Sequence, residues 1–235
     1  MPNHARLYIT WVIAAGSMLL VAAFAHWGCA DHFRFAAYLS LALVAATLKI
    51  RLPGMTVTYS LTYLFVLIGI ADLTFAETVM IASSSMIVQS LWRPAEPTTR
   101  AQVAFNAAAA VISVAASFLV AHAVGSLGFG RLLPLQVALA AGAYYAINTL
   151  LVSVIVAFLD RKLVLEVWSK WFEWCFRYYL AGVAIAGVII ACNHYLGWAY
   201  PLLLLPVMYA EYFGFRIAIL SQSRKSLASG PAGQP

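Results

Sequence analysis

The sequence predicts an all-α integral membrane protein with about eight transmembrane helices plus one interfacial amphipathic helix. Three observations carry that prediction. Hydrophobic residues make up 64% of the 235-residue chain and charged residues 9%, whereas a soluble domain averages about 45–50% apolar and about 25% charged. Mean hydropathy is +0.89. The basic residues also alternate between loops in the way a threaded chain requires. Together these exclude a soluble enzyme, a disordered tail and a collagen-like fibre. Eight spans of about 20 residues use about 160 residues, which leaves short loops, one polytopic domain over 1–220 and a disordered cytoplasmic tail over 221–235. The net charge of +6 belongs to loops, where it sets orientation rather than binding nucleic acid.

The first helix runs from about Tyr8 to Trp27. Ala23-Phe24-Ala25 mimics a signal-peptidase site, but the run from Leu7 to Ala25 is long for a secretory core, so the helix is expected to be retained. The second, from about Phe35 to Ile50, stops at Pro53-Gly54. The third, Met55 to Ala71, opens with Thr56, Thr58, Ser60 and Thr62 at a strand-like period of two. An open strand cannot sit in lipid, so a helix with an irregular first turn is expected. Thr74 with Glu77 is a capping box for the fourth helix, which runs to Trp92. Thr99 with Gln102 is a second, for a helix from about Arg100 to Val124. Pro134 suits the first turn of the sixth helix, which runs to Leu159.

Asp160 is expected to cap the interfacial helix, about 161–175. There Val164, Val167, Trp168, Trp171, Trp174 and Cys175 share one face, and Glu166–Lys170 and Glu173–Arg177 are spaced as ion pairs. Its tryptophans belong at headgroup depth, and Arg161, Lys162, Trp168 and Trp171 form a candidate contact for a cytoplasmic or membrane partner. A seventh helix reaches about His194, and an eighth runs from about Tyr200 to Leu220 with a kink at Pro206.

With the N-terminus in the cytoplasm, the inner segments hold 12 of the 14 Lys and Arg residues, leaving only Arg34 and Arg131 outside. The positive-inside rule is then met at every inner loop, and both termini are cytoplasmic.

Ionisable groups are scarce in the spans. Glu211 is the nearest case and reads as an interfacial anchor beside Arg216, which disfavours an ion-driven pump. Thr58, Thr62, Ser84, Gln89, Asn106 and Asn148 are candidates to line a small polar ligand cavity among the third to sixth helices. The competing reading is helix–helix packing through small and polar residues, as at Gly182–Ala186. His26, Cys29, Cys192 and His194 fall on the outer side, at spacings a transition metal accepts, and Cys29 with Cys192 would also suit a disulfide. The chain has no HExxH, GxSxG, P-loop or GxGxxG motif, which disfavours an enzyme.

The stretch Lys49-Ile50-Arg51-Leu52-Pro53-Gly54-Met55-Thr56-Val57-Thr58-Tyr59-Ser60, with Leu64 to Ile70, Glu77-Thr78, Val88 to Trp92 and Gln102 to Asn106, resembles the N-terminal multi-helix membrane sensor region of bacterial GGDEF and HD-GYP signalling proteins. Tyr209 to Arg216 is similar to where such regions lead into the output domain. No output domain is present in this sequence, so neither cyclase nor phosphodiesterase activity carries over. The resemblance implies a sensor-like or interaction module in the bacterial cytoplasmic (inner) membrane, acting through a ligand or a partner. Two alternatives stand beside it: a substrate-binding subunit of a small-molecule uptake system, and a structural subunit of a membrane complex.

Overall fold

A computed structural model describes residues 1–51, 58–94, 97–126 and 133–199, with single positions 206, 209, 210, 213, 214 and 217. The fold is predominantly helical. In chain order it holds α1 (Asn3–Ala25), α2 (His32–Thr47), strands β1 (Lys49–Arg51) and β2 (Thr58–Ser60), then α3 (Thr62–Asp72), α4 (Phe75–Leu91), α5 (Arg100–Ser126), α6 (Leu133–Asp160) and α7 (Val164–Leu196). Four helical stretches are long and apolar enough to cross a membrane: Asn3–Ala25, Arg100–Gly125, Leu135–Asp160 and Tyr179–Leu196. These are the dimensions and composition of a membrane protein.

At the centre lies α3. Every residue from Thr62 to Gly69 is buried, as expected of a helix apolar on all sides. It touches α2, α4, α5, α6 and α7. Its 11 residues rise only about 16 Å, too short to cross about 30 Å of hydrocarbon alone. The β1–β2 hairpin precedes it, pairing Lys49 with Ser60, Ile50 with Tyr59 and Arg51 with Thr58 in antiparallel register. This corrects the expected helix from Met55. The period-two pattern was a strand, and a paired strand satisfies its neighbour's backbone groups within the protein. Residues 52–57, including Pro53-Gly54, lie outside the described residues.

Helix ends follow local chemistry where the sequence supplies it. The Thr74–Glu77 capping box opens α4. Thr99 and Gln102 exchange backbone-to-side-chain bonds of 3.2 Å each at the start of α5. Asp160 does not cap the next helix. It is the last residue of α6, and α7 starts after Leu163 with no side-chain cap. Nor is the interfacial segment a separate element: Val164 runs without a break into the apolar stretch, giving one 33-residue helix. The eighth helix lies mostly outside the described residues, as do Glu211, Arg216 and the tail.

Two ends emerge from the packing. At one, His4 of α1 meets Phe158 of α6 with rings 5.1 Å apart, Asn106 of α5 donates to Ser90 of α4 at 3.1 Å, and the Lys49 ammonium reaches the Trp92 carbonyl. At the other, Phe75 of α4 meets Phe118 of α5 at 5.3 Å, and Gln136 of α6 donates to the Ala121 carbonyl at 2.9 Å. Helix α1 is the most peripheral of the four long stretches, with 17% of its window buried. It crosses α5 so closely that a Cβ on Gly16 would stand 2.5 Å from that of Ala108.

Candidate functional site: a polar cluster across three helix ends

At the second end, Asn193 in the last turn of α7 joins three helices. Its amide nitrogen donates to the Tyr38 hydroxyl of α2 at 2.9 Å and to the Asp72 carboxylate of α3 at 2.5 Å. Tyr38 is buried at 2% exposure, so its hydroxyl needs this partner. Burial raises the Asp72 carboxyl above its usual range, and the Asn193 hydrogen bond and the Arg34 charge work against that rise. Two polar atoms of the cluster, Arg34 Nε and Asn193 Oδ1, are buried without a hydrogen-bond partner.

A neighbouring cluster surrounds Glu77, which is 2% exposed. Its carboxylate accepts from the Thr74 amide at 2.8 Å, and the Thr74 hydroxyl lies 2.8 Å from it and 3.0 Å from the Gly28 carbonyl. The nearby Glu77 carboxylate, with desolvation and the charge of Asp31, holds the Cys29 thiol above the ordinary cysteine range.

The expected cavity residues separate into two places. Ser60 donates to Gln89 at 2.6 Å and sits 2.8 Å from the Thr62 hydroxyl; Gln89 and Thr62 are both buried. Asn106 joins this region through Ser90, whose carbonyl also accepts from Thr98 at 3.0 Å. Ser84 bonds back to the Met80 carbonyl of its own helix at 2.6 Å. Asn148 lies elsewhere, donating to Tyr179 of α7 at 3.4 Å within a tyrosine cluster where Tyr63 and Tyr145 stand 4.8 and 4.6 Å from Tyr179. Thr58 is on β2 by its backbone; its side chain lies outside those described. A cavity of about 50 Å³, lined by Leu67, Ile70, Ala71, Ala121, Gln136, Val137 and Ala140, contains none of these six.

Of the partner-facing residues, Trp168 turns inward and donates to Thr149 of α6 at 3.1 Å, and Val167 beside it is buried. Lys162 pairs with Asp160 at 3.3 Å, both about half exposed, a geometry worth little in stability. Arg161 is exposed with φ 56. The side chains of Lys170, Trp171, Glu173 and Arg177 lie outside those described. Among the described residues, no three His, Cys, Asp or Glu side chains converge on a metal position. His26 Nδ1 engages the Ala22 carbonyl at 3.0 Å, and Cys29 and Cys192 are free thiols.

Comparison with known protein families, with characterised proteins and with solved structures finds no match to this chain.

Proposed function

We propose that this chain is a polytopic membrane module of the sensor or interaction type, threaded eight times through the bacterial inner membrane with both termini cytoplasmic. The first end of the bundle, where Arg6, Lys49, Arg93, Arg100 and Arg161 gather, then faces the cytoplasm, and the Asn193 cluster faces outward. The first half of α7 and the turn before it lie at the inner interface.

One observation carries this reading. Asn193 and His194 belong to the same unbroken 33-residue helix as Val167 and Trp168, a rod about 50 Å long. A guest or charge change at the outer cluster bears on the last turn of that rod, and its first turns stand at the opposite end of the bundle. A rigid element touched at both ends is what coupling across a membrane needs. The uptake-subunit alternative calls for a pocket of about 300–1,000 Å³, and the cavity of about 50 Å³ between α3, α5 and α6 lends it no support.

Photo-crosslinking in cells from Leu163 or Leu165, both exposed, tests the reading. A defined protein adduct is expected, and it should change in yield in Asp72→Asn and Asn193→Ala variants present in the membrane at wild-type level. Absence of any adduct, with no small molecule retained in native mass spectrometry, would overturn the proposal. So would an adduct indifferent to both substitutions.

A further inference from the structure

Asp72 closes α3 where α2 and α7 meet it, and its carboxylate Oδ2 lies 2.5 Å from the Asn193 amide nitrogen. That nitrogen has two hydrogens, and the second goes to the Tyr38 hydroxyl. The oxygen of the same amide, Asn193 Oδ1, is buried and accepts nothing. An ionised carboxylate can only accept, so it leaves that oxygen empty, whereas a protonated one has an O–H to give. The two side chains therefore match as a carboxylic acid and a carboxamide, which pair through two opposed hydrogen bonds once the acid holds its proton.

The groups around Asp72 set which form the fold prefers. From α2 come the Arg34 guanidinium and the Tyr38 hydroxyl, and from α7 come Asn193 and His194. Asp31 is spent on the Phe33 and Arg34 amides at the start of α2, and Glu77 of α4 is engaged by Thr74. Among the described residues, α5 and α6 bring His122 and Gln136 to this end, each bonded to a carbonyl of α5. Burial raises the Asp72 carboxyl, against the Asn193 bond and the charges of Arg34 and His194. A folded chain that holds a proton the unfolded chain releases has that stabilisation in full below the ordinary carboxyl value of 3.8. It loses it as pH rises through the raised value, so acid favours the assembled cluster.

We infer that Asp72 is a proton-binding site, and that the proton exchanges its charged contact with Asn193 for a two-bond acid–amide pair that fastens α3 to α7. The proton comes from bulk water, past His194 and Tyr195, both exposed. The inference deepens the sensor reading, on which it rests, by naming acidity as the stimulus; uptake of the proton itself does not depend on that reading.

The full chain in mild detergent provides the test, by thermal unfolding and infrared difference spectra between about pH 4 and about pH 8, a span that reaches well above an ordinary carboxyl. Asp72→Asn puts a permanent donor and acceptor where the protonated acid would be. It should melt about 2–4 °C above wild type at the alkaline end, the scale of one residue's effect in a chain of this length, and the two should converge at the acid end. On acidification the wild type should gain the C=O stretch of a protonated carboxyl, absent in Asp72→Asn and displaced in Asn193→Ala. His194→Gln should keep both signals. A melting difference between wild type and Asp72→Asn that is constant with pH would overturn the inference. So would a convergence abolished by His194→Gln, since the histidine would then be the titrating group. A carboxyl band unmoved by Asn193→Ala would overturn the acid–amide pair. The assay needs neither orientation nor partner. Success without any crosslinked adduct in cells would therefore strike the sensor reading alone, and failure beside an adduct that still answers to Asn193→Ala would strike only the proton site.

Discussion

The Asn193 amide and the Asp72 carboxylate, 121 residues apart in sequence, lie 2.5 Å apart and tie the end of α7 to the end of α3. The same amide reaches Tyr38 at 2.9 Å, so one side chain holds three helices at one end of the bundle. Asn193→Ala should therefore leave Asp72 and the buried Tyr38 hydroxyl short of a donor. The expected cost is about 1–3 kcal/mol, the usual penalty for stranding a buried polar group. Tyr38→Phe removes only one acceptor and should cost less. Thermal unfolding in a mild detergent reads both, and an Asn193→Ala protein as stable as the wild type would show that the tie contributes nothing.

A second prediction concerns close packing between α3 and α7. A Cβ on Gly182 would stand 1.5 Å from the Tyr63 hydroxyl oxygen, while one on Gly187, five residues on, meets nothing within 4 Å. Gly182→Ala should destabilise by about 1–3 kcal/mol or more, as overpacked cores do. Gly187→Ala should be neutral or slightly stabilising, since alanine is the better helix former. Equal melting temperatures for the two variants would contradict the α3–α7 contact.

The thiol of Cys29 supplies a third. The nearby Glu77 carboxylate favours the neutral thiol and holds its pKa above the ordinary range. At neutral pH the reactive thiolate is correspondingly scarce. Glu77→Gln removes the negative charge, so the midpoint of the rate-versus-pH profile for alkylation at Cys29 should move down and labelling at pH 8 should quicken. The measurement is made with Cys175 and Cys192 replaced by serine. A midpoint that stays in place would mean that Glu77 does not govern the thiol.

What the sequence made legible was local. The Thr74–Glu77 and Thr99–Gln102 boxes place two helix starts because both partners lie within one turn. The period of two at Thr58 and Ser60 is also a true strand signal, although Thr62 already belongs to α3. An unpaired strand is untenable in lipid, and Pro53-Gly54 reads as readily as a helix stop as a turn between strands. The partner strand, Lys49–Arg51, sits at the end of an apolar helix and has no strand signature of its own. Asp160 has the chemistry of a cap, but the chain continues to Leu163 before α7 begins.

The Asn193 cluster was invisible for a different reason. Asp72 stands two residues before a capping threonine and looks like a loop residue, and Tyr38 and Asn193 each sit alone among apolar neighbours. Only the tertiary fold brings them together. Gln89 and Thr62 do meet, through Ser60, whereas Asn148 belongs with Tyr179 and Trp168 turns inward to Thr149. Composition identifies which polar residues are rare enough to matter in lipid, but not which of them share a helix interface.

Eight passages with both ends inside is the claim that assigns the Asn193 cluster to the outer face and the arginine-bearing end to the inner one. Paired fusions of green fluorescent protein and alkaline phosphatase, placed at each terminus and after Gly28, test it most directly. The account predicts fluorescence without phosphatase activity at both termini, and the reverse after Gly28. Phosphatase activity at either terminus would contradict it.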